Sequence, residues 1–144
     1  MELDDLYQDL ILDHFKHPRN QRPLAEAEVL VDEENPTCGD HIRLMAKVEQ
    51  GKIVDVKFEG KGCAISTASA SMMTERLIGM PVEAARRLIS DFVGLIRGEK
   101  EVDPDELGDL AALEGVKQYP MRVKCATMCW HAVETALNRI HPPA

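Results

Sequence analysis

Three cysteines and one aspartate stand out because their side chains could bind the same metal ion. Cys38 and Asp40 lie two residues apart, and Gly39 between them lets the backbone turn so that both can point at one centre. Cys63 and Cys125 each follow a turn-like segment. Zinc prefers four ligands in a tetrahedron and takes them from Cys, His, Asp and Glu. These four residues are therefore a candidate metal site.

The expected positions of Cys63 and Cys125 favour their thiolate forms. Both are predicted at the beginning of a helix, where the partial positive charge of the helix lowers the pKa of a thiol. Arg122 and Lys124 flank Cys125 in the sequence. Zinc with three thiolates and one carboxylate carries a net charge of about −2, which these two cations would offset.

Spacing alone leaves a second interpretation open, because these cysteines do not form paired CxxC motifs. A free cysteine is often a small buried hydrophobic residue. This interpretation is reasonable for Cys63, which precedes a segment rich in Ala, Ser and Met, and it is favoured for Cys129 over a redox role. It suits Cys38 poorly, because the neighbouring residues are polar. Asp40 could instead cap a turn.

Four histidines are weighed as possible ligands and set aside. His14 and His17 lie near the end of the predicted first helix, where basic residues favour the C-terminal turn. His41 follows Asp40 and is expected to be solvated on the polar face of a strand. His131 is expected to be a packing or surface residue of the last helix.

The elements that must position these residues follow from hydrophobic periodicity. Apolar residues at helical spacing predict a helix over residues 3–16 and others from Cys63 to Ile78, from Val82 to about Arg97 and from about Arg122 to Ile140. Short helical turns are expected near residues 104–113.

Alternation of polar and apolar residues predicts the strands. A short strand is expected at residues 29–31 and a half-buried strand at 41–49, followed by a hairpin turn at Gln50-Gly51. In the returning strand, Val54, Val56 and Phe58 are predicted to face inward. Antiparallel strands with one polar face need helices on the other. The predicted fold class is α+β, a three-stranded antiparallel sheet with helices packed on one face.

Length, charge and hydropathy narrow the possible functions. The 144 residues predict a single domain, 1–144, and the net charge of −8 argues against nucleic acid. No apolar run has the length of a membrane span, and the acidic N-terminus does not resemble a signal peptide. A cytoplasmic location is expected. In a reducing compartment, spaced thiols are more often metal ligands or reactive groups than disulfides.

Three cysteine segments and the opening of the chain resemble the U-type iron–sulfur cluster assembly proteins. The resemblance covers nearly the whole chain, and it is carried by Leu6-Tyr7-Gln8-Asp9-Leu10-Ile11-Leu12-Asp13-His14-Phe15-Lys16-His17-Pro18-Arg19-Asn20, Asn35-Pro36-Thr37-Cys38-Gly39-Asp40, Phe58-Glu59-Gly60-Lys61-Gly62-Cys63-Ala64-Ile65-Ser66 and Met121-Arg122-Val123-Lys124-Cys125-Ala126-Thr127.

Two features favour the SUF branch of this family over the classical scaffold branch. Lys124 precedes the third cysteine, where the classical scaffold has a histidine, and the interval from Cys63 to Cys125 is longer. The missing histidine removes one possible ligand. It weakens the case for assembly of a [2Fe–2S] cluster on this chain.

The resemblance implies a SufE/NifU-like fold, a zinc ion and a sulfur-transfer activity. The implied zinc ligands are Cys38, Asp40, Cys63 and Cys125. Cys38 would accept sulfur from the persulfide of a PLP-dependent cysteine desulfurase, SufS, and pass it to the downstream SUF assembly proteins. Arg122 and Lys124 would support this reaction.

Two other functions remain open at this point. The same four residues could carry a transient iron–sulfur cluster on a scaffold protein, or they could hold a purely structural zinc ion. Cys129 departs from the family pattern and could form an off-path disulfide with Cys125.

Overall fold

A computed structural model describes residues 3–36 and 39–143, and the side chains from residue 8 onward within those ranges. In chain order the elements are α1 (Leu3–Lys16), β1 (Val29–Asn35), β2 (Asp40–Glu49), β3 (Lys52–Lys61), α2 (Ala64–Leu77), α3 (Val82–Ile96), α4 (Pro104–Leu107), a 3-10 segment (Gly108–Gln118) and α5 (Pro120–Ile140). Cys38, the proposed sulfur acceptor, lies outside the described residues.

The described strands form an antiparallel sheet in the order β1-β2-β3, and helices pack against one of its faces. The predicted α+β class is therefore confirmed. The helix predicted over residues 3–16 is confirmed as α1. The 1–144 domain assignment stays a prediction. Among the described helices, none combines the length and the apolar character needed to cross a membrane.

The turn between β2 and β3 is the predicted two-residue hairpin. Gln50 and Gly51 have φ values of 52° and 75°, both in the left-handed region. Such a pair makes the type I′ turn, whose twist matches that of the flanking strands. The turn fixes the register in which Glu49 lies opposite Lys52.

A β-bulge makes the prediction for Val54 wrong. The register between β2 and β3 shifts between Lys47 and Val48, so that Lys47 pairs with Asp55 and Val48 pairs with Ile53. Val54 is the extra residue, and its side chain is 38% exposed while that of Ile53 is fully buried. A bulge reverses the side-chain alternation at one point, and a strictly alternating pattern does not indicate it.

The outer face of the sheet is partly covered by the segment that connects α1 to β1. Met45 and Lys57 are buried on this face. The Leu24 amide donates to Met45 Sδ at 3.4 Å, and Lys57 Nζ donates to Asn20 Oδ1 at 3.0 Å. The alternation of the half-buried strand predicted at residues 41–49 would place Met45 on the polar face, yet this face is covered at Met45.

A buried hydroxyl joins α2 to α5 beneath the sheet. Ser69 Oγ donates to the Ala126 carbonyl at 2.6 Å and accepts from Trp130 Nε1 at 3.0 Å. The Trp130 ring stacks on Phe92 of α3, with ring centroids 4.3 Å apart. Because Cys63 precedes α2 and Cys125 lies on α5, this contact helps to set the distance between the two thiols.

His14 lies in the last turn of α1, as predicted, but it is buried there. Its side chain is 2% exposed, and Nδ1 lies 2.7 Å from Ser71 Oγ, which also accepts from the Arg19 amide. Burial lowers the pKa of His14. The ring is buried because α1 packs its last turns on α2, where the small Ser71 leaves room for it, so burial opposes the favourable positive charge that was expected at this position.

Replacing Ser69 with alanine should destabilise the fold without touching a proposed ligand. Ser69→Ala leaves the buried Trp130 N–H without its acceptor, at a cost of about 1–3 kcal/mol. Urea unfolding in the presence of a chelator measures this cost apart from any bound metal. Ser90→Ala, at an exposed position of α3, should change the free energy of unfolding by less than about 0.5 kcal/mol. Equal midpoints for the two variants would contradict the role given to Ser69.

Candidate metal centre

Three of the four predicted ligands meet at one end of the sheet. Ligand atoms of Asp40, Cys63 and Cys125 all lie within 4.8 Å of one another. Asp40 begins β2, Cys63 precedes α2 and Cys125 belongs to α5. Asp40 and Cys125 are buried, whereas Cys63 is half-buried. The centre therefore has a buried base and a more open side.

The Asp40 carboxylate is held by the backbone of Cys63. The Cys63 amide donates to Oδ1 at 2.9 Å, and Oδ2 lies 3.9 Å from Cys63 Sγ. One oxygen is thus used for a hydrogen bond while the other faces the sulfur. This arrangement positions Asp40 as a ligand that offers a single oxygen.

Cys63 is the N-cap of α2, as predicted. Its backbone is extended, with φ −68° and ψ 173°, and Sγ accepts from the Ser66 amide at 3.5 Å. A backbone N–H of the first turn and the helix N-terminus therefore both lie next to this sulfur.

Glycine is needed at position 62 because the chain is crowded there. A Cβ at Gly62 would lie 2.7 Å from Ser66 Oγ and 3.3 Å from Asp40 Oδ1. A side chain at this position would push against the first turn of α2 and against the carboxylate. The glycine turn before Cys63 thus allows Asp40 and the thiol to approach each other.

Cys125 lies in the second turn of α5, not at its beginning. The helix begins at Pro120, two residues before the predicted start, because proline is well suited to the first helical position. The expectation that Cys125 opens the helix is therefore wrong. Its sulfur lies 3.9 Å from Asn35 Nδ2 and 4.0 Å from the Met121 carbonyl.

Arg122 and Lys124 have different surroundings. The negative charge of Cys63 and a hydrogen bond with Cys125 raise the pKa of the Arg122 guanidinium, so this cation lies beside both thiols. Residues two apart on a helix point in nearly opposite directions. Lys124 accordingly lines a groove of about 500 Å³ between the end of β1 and α5.

The remaining candidates lie away from the centre. His41 Nε2 is 3.2 Å from Asp32 Oδ1 on the outer face of the sheet, in agreement with its predicted solvated position. Cys129 is buried, its sulfur lies 3.6 Å from Ser69 Oγ, and burial raises its pKa to about 12. The packing role predicted for Cys129 is confirmed. His131 is exposed on α5.

Asn35 is the residue of this centre whose contact with a ligand was not predicted. It was treated only as part of the Cys38 segment, yet its side chain is buried against Cys125. Its position in the sequence could have indicated this contact. The last residue of a strand lies beside the first residue of the next strand when a short loop joins them, and Asn35 pairs with Asp40 in this way.

The described donors fit a zinc ion. Around tetrahedral zinc, sulfur and oxygen ligands lie about 3.5–3.8 Å apart, so small side-chain rotations would bring the three described atoms to coordinating positions. Thiolates favour soft metals such as zinc over calcium or magnesium, which prefer oxygen ligands alone.

The fold and the converging donors define an α+β protein with a candidate metal site of two cysteines and one aspartate at the end of its sheet. Residues 6–126 match the family described as NifU-like N terminal domain, and the chain belongs to this family. The resemblance to U-type iron–sulfur assembly proteins is thereby confirmed.

Three similar proteins agree with this assignment. The chain is 47% identical over 137 residues to the zinc-dependent sulfurtransferase SufU of Bacillus subtilis (strain 168), covering 95% of this chain and 92% of that protein. It is 41% identical to the iron–sulfur cluster assembly scaffold protein IscU of Streptococcus pyogenes serotype M1, covering 96% and 86%. A putative SUF-system scaffold protein from Fervidobacterium islandicum AW-1 superposes with a TM-score of 0.84 at 36% identity, covering 93% and 98%.

Adding one methyl group at position 62 should weaken metal binding. In Gly62→Ala the new Cβ meets Ser66 Oγ and Asp40 Oδ1, which displaces the carboxylate. A loss of about tenfold in zinc affinity is expected, as for other disturbances next to metal ligands. Competition with a coloured chelator measures it. Gly115→Ala is the matched control, because nothing lies within 4 Å of its added Cβ. If both variants retain zinc equally, the crowding at Gly62 does not act on the centre.

Proposed function

We propose that this chain is a zinc-dependent sulfurtransferase of iron–sulfur cluster assembly. Cys38 accepts sulfur from the persulfide of a cysteine desulfurase, SufS, and passes it to the downstream SUF proteins. The observation that carries the proposal is the convergence of Asp40, Cys63 and Cys125 at the end of the segment that contains Cys38. The similarity to SufU of Bacillus subtilis supports it.

Chain connectivity supports the inclusion of Cys38. Two residues of extended chain span at most about 7 Å, so the sequence ties Cys38 to the immediate neighbourhood of Asp40. Pro36 and Gly39, on either side of the undescribed pair, are exposed. A partner protein can therefore reach the chain at Pro36 and at Gly39 without unfolding the core.

The proposed zinc ligands are Cys38, Asp40, Cys63 and Cys125. Zinc, when bound, would keep the coordinating thiols deprotonated at neutral pH. Asp40 is held by the Cys63 amide and would supply one oxygen. Arg122 would offset negative charge beside the thiols, in agreement with the raised pKa of its guanidinium.

The proposed transfer is a thiol exchange that balances without an oxidant or reductant. The Cys38 thiolate attacks the outer sulfur of the donor persulfide, and a new S–S bond forms to Cys38. The S–S bond of the donor breaks, and the desulfurase cysteine leaves as a thiolate. Any proton on the outer sulfur moves with it. Arg122, together with Lys124 on the neighbouring groove, would attract the anionic persulfide.

Removing the Asp40 carboxylate should loosen metal retention. Asp40→Ala deletes the one proposed oxygen ligand and leaves the Cys63 amide without its acceptor. Zinc content after dialysis against a chelator should fall well below that of the unmodified protein, because metal affinity depends on the number of charged ligands. Asp32→Ala, which removes a carboxylate from the exposed outer face, is the control. Unchanged zinc content in Asp40→Ala would exclude it as a ligand.

Replacing Cys38 should abolish sulfur acceptance. With a SUF cysteine desulfurase and cysteine, the unmodified protein is expected to stimulate turnover and to gain the mass of one sulfur atom. Cys38→Ser should do neither, because a hydroxyl at neutral pH is a far weaker nucleophile than a thiolate. Cys129→Ala should behave like the unmodified protein, since that thiol is buried in the core. Full stimulation by Cys38→Ser would remove Cys38 from the pathway.

A scaffold function is the second candidate, because the similar Streptococcus pyogenes protein is an IscU scaffold. On this alternative, the same ligands hold a transient iron–sulfur cluster. Metal analysis separates the two: tightly held zinc after aerobic purification favours the sulfurtransferase. A coloured cluster that moves to an apo-protein favours the scaffold.

A further inference from the structure

Asn35 lies where the Cys38 segment and α5 come together. It is the last residue of β1, it pairs in register with Asp40 across the ladder, and its carbonyl accepts from the Gly39 amide at 2.9 Å. Its side chain is 5% exposed. Partners directly opposite each other in a sheet direct their side chains to the same face, so the carboxamide shares the buried side of the sheet with the Asp40 carboxylate.

The carboxamide nitrogen of Asn35 contacts a proposed metal ligand. Nδ2 lies 3.9 Å from Cys125 Sγ, which is within reach of a weak N–H···S hydrogen bond because sulfur is larger than oxygen. Burying an amide is costly unless its polar atoms are bonded. An apolar residue at this buried strand end would avoid the free-energy cost of desolvating an amide. The presence of asparagine therefore indicates that a hydrogen-bond donor is needed here.

We propose that Asn35 is a positioning residue of the metal centre, whose side-chain N–H donates to the Cys125 thiolate. The donor draws negative charge off the sulfur and fixes the direction of its lone pairs. Both effects favour a site in which several anionic ligands bind the same metal ion. Hydrogen-bond partners of metal ligands commonly orient and tune the ligands in this way. This inference rests on the proposed metal site.

Asn35 could instead act through the oxygen of its side-chain carboxamide. Asparagine often stabilises a turn through its carbonyl oxygen, and Asn35 immediately precedes the segment 36–39. Aspartate keeps such an acceptor oxygen but replaces the donating nitrogen with an anion. Alanine removes both groups and adds no charge. The two substitutions therefore separate donation to Cys125 from acceptance within the turn.

The test compares Asn35→Ala and Asn35→Asp with the unmodified full-length chain, using cobalt(II) as the probe. Cobalt affinity by chelator competition should fall about tenfold in Asn35→Ala, the usual size of such effects. It should fall further in Asn35→Asp, where a carboxylate faces the thiolate. The sulfur-to-cobalt charge-transfer band should move to longer wavelength in Asn35→Ala, since a lost N–H···S bond raises the sulfur lone-pair energy. Asn138→Asp, at the exposed far end of α5, controls for added charge.

Each outcome decides one claim. Retained affinity in Asn35→Asp with loss in Asn35→Ala would assign Asn35 to the turn and overturn the proposal. Affinities within twofold and an unmoved band in Asn35→Ala would also overturn it. If Asn35→Asp fails to fold, as judged by circular dichroism of the metal-free protein, the affinity and band of Asn35→Ala decide alone. An unmodified chain that binds neither zinc nor cobalt would instead refute the proposed function.

Discussion

The hydrogen bond from the Cys63 amide to Asp40 Oδ1 links the start of β2 to the start of α2, and the geometry of the metal centre depends on it. It brings two residues far apart in the sequence into contact and leaves one carboxylate oxygen facing the thiol. Glycines make this approach possible. At Gly60, φ is +131° and a Cβ would lie 2.1 Å from the His41 carbonyl, so the end of β3 can pass β2 closely only without a side chain.

The third described ligand is brought to this junction by packing of the core. Helix α5 lies across β1, β2 and α2. Small side chains on α2 let the two helices approach, and Ser69 supplies a hydroxyl that satisfies the indole N–H of Trp130. Cys125 lies five residues before Trp130 on the same helix, so its position follows from that of the indole. The chain thus brings its donors together through contacts between its own residues.

The regular parts of this architecture were predictable because they depend on local periodicity. The bounds of α1 and the hairpin at Gln50-Gly51 follow from residue types within a few positions. The grouping of Asp40, Cys63 and Cys125 was predictable from ligand chemistry and family resemblance together. The bulge at Val54 was not predictable from the sequence. It depends on how β2 and β3 pair, and it does not change the pattern of polar and apolar residues within β3 alone.

Two polar residues show why the rest of the site was harder to predict. The burial of His14 depends on Ser71, and the buried contact of Asn35 depends on Cys125. Both partners lie more than fifty positions away in the chain. Only tertiary packing decides whether such a side chain is solvated or satisfied in the interior, and residue type alone favours the surface.

The accessibility of the candidate centre bears on the role that a bound metal ion would have. Structural zinc sites are closed, with all ligands enclosed by protein, whereas sites that do chemistry keep an accessible position. Here Asp40 and Cys125 form a buried base, while Cys63 is half-buried and the chain on both sides of Cys38 is exposed. Arg122 lies exposed beside the two described thiols. On the proposed function, an anion arriving from solvent would meet the exposed Arg122 guanidinium before it meets the buried donors. Such access suits the proposed receipt of sulfur, whereas a metal ion that only held the fold together would need no exposed side.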